Sequence, residues 1–253
     1  MKWSDEAIIL ATRKHGETSL IVKLLSKNNG LYAGFVKGAL SKKKTRGIYE
    51  VGNLVEAEWK SRVEEHLGTF KIELKESFWY HAINNNIKLM ALNSAISLIF
   101  QNIQERQPEN NLFAELLDLL KAIKNEENSH NFLAKYVFFE IAFLSNMGYG
   151  LSLDKCGVTQ SEENLAFLSP KTGRAISEEV GNPYRDKLFK LPRFMSRGFD
   201  QDREIYDYEI LNGLNLTGYF INKYFYSNDN KRKNPIRDLF VQLVQSKLSM
   251  EVV

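Results

Sequence analysis

The chain has 253 residues, of which 43% are hydrophobic and 26% are charged, and its formal net charge is +3. These proportions are ordinary for a soluble globular protein, so disorder is not expected. Because the net charge is small, attraction to a polyanion has to come from local clusters of basic side chains. The single cysteine, Cys156, excludes an internal disulfide and a zinc site built from several thiolates.

The apolar stretches of the chain are short. The N-terminal apolar run, residues 7–11, is too short for the core of a signal peptide. The longest apolar stretch, residues 136–144, is interrupted by Glu140 and is far shorter than a membrane span. We therefore expect a soluble, cytoplasmic protein.

The first 76 residues alternate between apolar and polar side chains with the period of β-strands. The alternating segments are 7–13, 20–25, 31–36, 55–60 and 70–75, and Gly-containing or Asn-containing turns separate them. Five strands that close on themselves match the OB barrel, which binds oligonucleotides across one face. We predict an OB-fold DNA-binding domain over residues 1–76, although strand count alone leaves open a small barrel or sandwich without a ligand.

Residues 30–46 combine an aromatic strand with a cationic loop, and no acidic residue occurs between Glu17 and Glu50. Tyr32 and Phe35 lie on the strand; because they alternate imperfectly, we expect one to face a binding groove and the other to join the core. Such a strand suits a polyanion whose bases stack, while a plain solvated loop is about equally compatible with this run. The candidate cations are Lys37, Lys42, Lys43, Lys44 and Arg46, extended by Arg13, Lys60 and Arg62.

From residue 77 onward the apolar period becomes helical, which predicts an α-helical domain over residues 77–253. Residues 151–183 interrupt it as an insertion, with strands predicted at 165–168 and 174–176. The helical pattern resumes weakly at 184–189 and strongly from Ile205 to Phe220. Asn234 and Pro235 form a helix start, with a capping residue followed by proline in the first turn. The fold class is therefore α+β and multidomain.

Motifs for catalysis are missing from the sequence. The four histidines, His15, His66, His81 and His130, form no pair at metal-ligand spacing. The sequence also has neither a phosphate-binding P-loop nor a nucleophile elbow. We expect a protein that is not an enzyme and that needs no cofactor.

Several short motifs occur in an order that resembles the RecO family of bacterial recombination mediators. The matching segments are 5–10, 15–17, 34–39, 52–53, Trp59, 153–156 and 168–175. The resemblance covers essentially the whole chain.

The resemblance also reaches a zinc finger that some members of that family carry in the insertion. The positions that match its four cysteines are Cys156, Thr159, Ser177 and Val180. One thiol and two hydroxyls cannot form a structural zinc site. We therefore expect a metal-free, degenerate zinc-finger-like hairpin, held by packing of Leu165, Phe167 and Leu168.

The resemblance implies a function. RecO-like proteins bind single- and double-stranded DNA through the barrel without sequence specificity, and they anneal complementary strands. With the partner RecR they help to load the RecA recombinase onto DNA coated by single-strand-binding protein, so a location at the nucleoid is implied. They contact the acidic tail of that coat protein through the helical domain, where Lys187, Arg193 and Arg197 are candidate contacts.

Two other functions remain open at the level of sequence. The chain is compatible with a protein–protein adaptor whose barrel binds no nucleic acid. It is also compatible with an RNA-handling OB protein, since a cationic barrel does not by itself distinguish the two nucleic acids.

Overall fold

The computed structural model of the chain describes residues 1–41, 47–62, 67–196, 204–226 and 234–250. The chain forms two compact units, Met1–Asn125 and Glu126–Val253. The first unit holds the barrel together with three helices, so the domain boundary after residue 76 stays a prediction. In the described part of the chain, no helix combines the length and the apolar character needed to cross a membrane.

The N-terminal barrel contains five strands, one for each alternating segment of the sequence. They are β1 (Lys2–His15), β2 (Ser19–Ser26), β3 (Gly30–Val36), β4 (Leu54–Lys60) and β5 (Gly68–Glu76). They close in the order β1-β2-β3-β5-β4. Neighbouring strands are antiparallel except β3 and β5, which are parallel. The predicted five-stranded OB-like barrel is confirmed.

The strand β1 is longer than predicted because it pairs with two neighbouring strands. Its first half, from Lys2, pairs with β4, and the rest pairs with β2. A register shift between Ile9 and Ala11 lets this single strand bend from one partner to the other. The bend closes the barrel.

Alternate side chains of the strands point inward and form the barrel core. Val22, Val55 and Ala57 are fully buried there, and burial of a side chain such as valine stabilises a fold by about 1.5–3 kcal/mol. An aromatic cluster fills the core beside them. The rings of Tyr32 and Trp59 lie 5.0 Å apart in an edge-to-face arrangement, and Trp3 stacks on Trp59 at 6.1 Å.

Two glycines allow β3 and β5 to meet. Gly34 and Gly68 are direct ladder partners. A Cβ atom on Gly34 would lie 2.6 Å from the Phe70 ring, and one on Gly68 would lie 2.3 Å from the Trp59 ring. Because both distances are well below van der Waals contact, only glycine fits at this junction.

Three helices complete the first unit, α1 (Phe78–Ala82), α2 (Asn86–Asn102) and α3 (Asn110–Asn125). The segment after α2 runs along the start of β3. Arg106 donates its main-chain N–H to the Leu31 carbonyl at 2.9 Å, and the Lys23 ammonium lies 2.9 Å from the Glu105 carboxylate. This end of β3 is therefore covered by the chain itself.

The second unit is mostly helical and carries a small sheet. Its helices are α4 (Ser129–Asn146), α5 (Glu178–Gly181), α6 (Arg193–Ser196), α7 (Asp207–Ile221) and α8 (Pro235–Met250). A π-helical turn, Asn222–Tyr226, extends α7. The start of α8 agrees with the sequence, since Asn234 accepts the main-chain N–H of Arg237 at 3.2 Å.

The small sheet contains the predicted hairpin and one strand that was not predicted. β6 (Leu165–Leu168) pairs with β7 (Ala175–Ser177), which confirms the hairpin. Leu168 is fully buried and Phe167 nearly so, whereas Leu165 is partly exposed. The weak helical segment predicted at 184–189 is a 3-10 helix over Asn182–Lys187, followed by β8 (Phe189–Lys190), which adds to β6. The helix prediction is therefore wrong at its C-terminal end.

Candidate nucleic-acid interface

One row of outward-facing side chains crosses all five strands of the barrel. In strand register, Arg13 lies beside Ile21, Ile21 beside Phe35, Phe35 beside Thr69, and Thr69 beside Lys60. Neighbouring strands are about 4.8 Å apart. The row, which we name the Arg13–Lys60 row, therefore places a half-exposed aromatic ring between two exposed cations.

The two aromatic residues predicted on β3 point in opposite directions. Tyr32 packs against the core with Trp3 and Trp59. Phe35 lies on the outer face, where its ring is 4.9 Å from that of His15. Of the two, Phe35 is thus the ring with an outer face available for stacking.

Charges are distributed unevenly around the outside of the barrel. The face formed by β4, β5 and the start of β1 carries ion pairs, including Lys2 with Glu58 at 3.6 Å and Lys71 with Glu73 at 2.9 Å. Four predicted contact residues form no ion pair with another described residue. They are Arg13, Lys37, Lys60 and Arg62. Positive charge that no other described residue neutralises through an ion pair is therefore found around the Arg13–Lys60 row.

The described ends of the basic loop are held by hydrogen bonds. On one side, the main-chain N–H of Leu40 donates to the Thr18 carbonyl at 2.9 Å. On the other side, the buried Asn53 amide donates to the carbonyls of Gly47 at 2.8 Å and Ile48 at 3.1 Å. The sequence places Asn53 in a turn between two strands and in a segment that resembles the RecO family, without indicating these hydrogen bonds. The hydrogen bond from Asn53 to Gly47 spans six residues, and no sequence pattern predicts it.

The central part of the predicted site is not described by the structure. Lys42, Lys43, Lys44 and Arg46 lie outside the described residues. Their contribution to binding stays a prediction, as does that of Arg13, Phe35 and Lys60 in the row.

The predicted partner-binding residues of the second unit do not form one described cluster. Arg193 donates its main-chain N–H to the Glu209 carboxylate at 3.0 Å and its Nε at 3.2 Å, while Glu209 is almost fully buried. The Glu209 carboxylate therefore neutralises much of the charge of Arg193, and it raises the pKa of that guanidinium. Lys187 is exposed at the end of the 3-10 helix, and Arg197 lies outside the described residues.

A cavity of about 550 Å³ lies beside Arg193 in the second unit. Its described lining mixes apolar side chains with both acidic and basic ones, including Glu178, Lys190 and Tyr208. Because its lining carries charges of both signs, the cavity shows no preference for an anionic or a cationic ligand.

Three of the four degenerate zinc-finger positions meet around a single sulfur atom. The main-chain N–H of Ser177 donates to the Cys156 sulfur at 3.3 Å. Burial raises the pKa of the Cys156 thiol, but hydrogen bonds with Thr159 and Ser177 outweigh burial and lower that pKa to about 6. In the described part of the chain, no three His, Cys, Asp or Glu side chains are grouped as metal ligands. Hydrogen bonds thus join three of the four positions expected from the resemblance.

Comparison with known protein families gives two matches that together span most of the chain. The model of the recombination protein O N terminal matches residues 1–78. The model of the recombination protein O C terminal matches residues 84–233.

Curated relatives align along nearly the full length of the chain. The DNA repair protein RecO of Rickettsia bellii (strain OSU 85-389) is 41% identical over 247 residues, which cover 98% of each chain. The DNA repair protein RecO of Orientia tsutsugamushi (strain Ikeda) is 41% identical over 246 residues, covering 96% of this chain and 98% of the relative. The protein of the same name from Rickettsia felis is 40% identical over 245 residues, with the same coverage.

Proposed function

The chain belongs to the recombination protein O (RecO) family, and we propose on this basis that it acts in DNA repair by binding DNA on the outer face of its barrel. The relatives that are named DNA repair proteins support the role in repair. The Arg13–Lys60 row is the observation that carries the proposed binding site. It combines an available aromatic face with cations that form no ion pair with another described residue.

Binding of this kind is independent of sequence. The cations neutralise phosphates and release counterions, so affinity falls steeply as salt is raised. Phe35 stacks on a base, which is worth about 1–3 kcal/mol and tolerates any base. Both single- and double-stranded DNA are ligands in this proposal, because phosphates are available in each.

The finer steps of the proposed function follow from the family. The protein anneals complementary strands by holding them together while its cations screen their charge. With RecR, it helps to load RecA onto DNA coated by single-strand-binding protein, whose acidic tail contacts the helical part of the chain. No covalent bond changes in these steps, so the protein acts as a mediator rather than an enzyme.

Fluorescence anisotropy with a single-stranded oligonucleotide tests the binding site. We expect the triple variant Lys42→Glu, Lys43→Glu, Lys44→Glu to bind much more weakly than the wild type, and Phe35→Ala to lose about tenfold in affinity. A control variant, Tyr80→Ala, removes an exposed ring from α1 and should bind normally. Unchanged affinity of the triple variant would refute the proposal, and tighter binding to RNA than to DNA would favour an RNA-handling role.

A further inference from the structure

The barrel wall has an opening where β3 and β5 diverge. These strands share only two ladder pairs, Gly34 with Gly68 and Phe35 with Thr69. Beyond this point β5 pairs with β4 and β3 pairs with β2, and no ladder pair joins the two parallel strands within the described part of the chain. A cavity of about 370 Å³ occupies the gap, which we name the β3–β5 slot.

The slot has an apolar floor and a polar rim. Phe70 and Ile72, which belong to the barrel core, line its floor. The ring of Tyr49 also lines the slot, and it comes from the short turn that follows the basic loop. Two exposed lysines, Lys37 from β3's end and Lys71 from β5, line it as well.

The slot has the volume of a ligand pocket. Ligand pockets usually enclose about 300–1,000 Å³, and the slot encloses about 370 Å³ with more polar than apolar surface. Burial raises the pKa of the Tyr49 hydroxyl, so it remains a neutral hydrogen-bond donor. Beyond Thr69, the edge of β5 that faces the slot has no ladder partner among the described residues, so it offers main-chain donors and acceptors of the kind that the edge of a base recognises.

We propose that the β3–β5 slot receives one unstacked nucleobase of a bound single strand, with flanking phosphates on Lys37 and Lys71. This inference rests on the proposed DNA binding and adds Tyr49 and Lys71 to the contact residues. Phe35 at the mouth of the slot stacks on the neighbouring base, so the strand turns from the outer face into the wall.

Lys71 is available to a phosphate although it has a partner in the protein. Its ion pair with Glu73 is exposed on both sides, and such surface pairs contribute little to stability. A backbone phosphate, whose single negative charge is shared by two oxygens, therefore competes effectively for the ammonium group.

A thermodynamic cycle that combines a change at Tyr49 with removal of the bases from the strand tests the slot. The ligands are a thymidine oligonucleotide and an abasic strand of the same length, which keeps the phosphates but has no bases. We expect the wild type to prefer the thymidine strand by tenfold or more. In Tyr49→Leu that preference should fall several-fold, while affinity for the abasic strand stays the same.

The lysines give a contrasting result in the same assay. Lys71→Gln should weaken binding of both strands equally, because it removes a phosphate contact and no base contact. Lys121→Gln is the matched control, since Lys121 also forms an exposed ion pair, with Asp118 at 3.1 Å. It should leave both affinities unchanged.

The outcomes separate this inference from the proposed function. If the wild type binds neither strand at low salt, DNA binding itself fails. If it binds the thymidine strand but Tyr49→Leu keeps the full preference, the slot is refuted and DNA binding stands. Photocrosslinking of a bromouracil-containing strand to the wild-type protein tests the slot without a variant. We expect the crosslink on the peptide that contains Tyr49. A crosslink confined to Phe35 would contradict the slot.

Discussion

The Asp5 carboxylate and the Ser26 hydroxyl lie 2.5 Å apart, and this contact is the centre of a network that holds the turn between β2 and β3. The same carboxylate accepts the main-chain N–H of Asn28 at 2.7 Å and the side-chain amides of Asn28 and Asn29. Asp5 is only 8% exposed, so these donors replace water around its charge. The network fixes the position at which β3, and with it Phe35, leaves the turn.

Loss of the Asp5 carboxylate should therefore destabilise the barrel. We expect Asp5→Ala to lower the free energy of unfolding by about 3 kcal/mol, because several donors lose a charged acceptor. Urea denaturation followed by tryptophan fluorescence measures the change, since Trp59 is in the barrel core. The control Asp118→Ala removes a carboxylate from an exposed pair and should change stability by less than about 0.5 kcal/mol. Equal losses in the two variants would contradict the network.

The Asn53 amide should control the loop that carries the predicted cations. In Asn53→Ala, the carbonyls of Gly47 and Ile48 lose their donor. We expect a stability loss of about 1–3 kcal/mol and faster tryptic cleavage within residues 42–46. The control Asn146→Ala removes an amide whose hydrogen bond stays within its own helix. Cleavage at the wild-type rate in Asn53→Ala would show that this amide does not anchor the loop.

The positions of the barrel strands could be predicted because each strand has one face in the core. Alternation such as that of Val55, Ala57 and Trp59 directly reflects this burial. The strand β8 escaped prediction because two residues, Phe189 and Lys190, are too few to show a period. The length of β1 was missed because its pairing with β4 depends on residues 54–60, which are distant in sequence.

The candidate site was predictable as a set of residue types and not as an arrangement. Arg13, Phe35 and Lys60 are recognisable as cations and an aromatic residue, but only strand register places them in one row. The partners of buried polar residues were harder still to predict from the sequence. Glu140 looked like a break in an apolar helix, because its partner Arg237 is 97 residues away.

Glu6 should make barrel stability depend on acid pH. A hydrogen bond from Lys75 lowers the pKa of Glu6 below its ordinary value of 4.5, and the charges of Lys75 and Lys27 act in the same direction against burial. Since folding lowers this pKa, the stabilisation is present above pH 4.5 and is lost as pH falls through the lower value of the folded state. We expect Glu6→Gln to be less stable than the wild type at neutral pH, with the difference closing below pH 4.5 in denaturation curves.

The exposed pair of Glu73 and Lys71 supplies the control for this pH series. Glu73→Gln should change stability little at neutral pH, because surface ion pairs contribute little. A gap between Glu6→Gln and the wild type that stays constant down to strongly acid pH would show that the Glu6 carboxylate is not its source.

Removing one member of the buried pair of Glu140 and Arg237 should lower the free energy of unfolding more than replacing both members by apolar residues. Arg237 donates from Nε to one carboxylate oxygen at 2.6 Å and from Nη2 to the other at 2.9 Å. Burial is the largest single influence and favours a lower pKa of Arg237, but the charge and the hydrogen bond of Glu140, with smaller contributions from Tyr136 and Asp238, together raise that pKa. We expect Arg237→Met alone to cost about 3–5 kcal/mol, because Glu140 remains buried and unpaired.

A double-mutant cycle on this pair checks the argument. Adding Glu140→Leu to Arg237→Met removes the remaining charge, so the double variant should be more stable than Arg237→Met alone. Thermal unfolding of the full chain gives the loss of stability of each variant. Losses that simply add would mean that the two side chains act independently.

Cys156 combines a low pKa with complete burial, and we expect burial to decide its reactivity. Burial raises the pKa of the thiol, yet hydrogen bonds with Thr159 and Ser177 lower it to about 6, so much of the sulfur is thiolate at neutral pH. A thiolate reacts only when a reagent reaches it, and Cys156 is 0% exposed. Alkylation of the native protein should therefore be slower than that of the unfolded chain by on the order of a thousandfold, as for an opening free energy of about 4 kcal/mol. Thr159→Val should raise the pKa of the Cys156 thiol, which is measured from the absorbance of the thiolate. The control Thr172→Val, in the exposed hairpin turn, should leave that pKa unchanged. Rapid alkylation of the native wild type would contradict the burial of this sulfur.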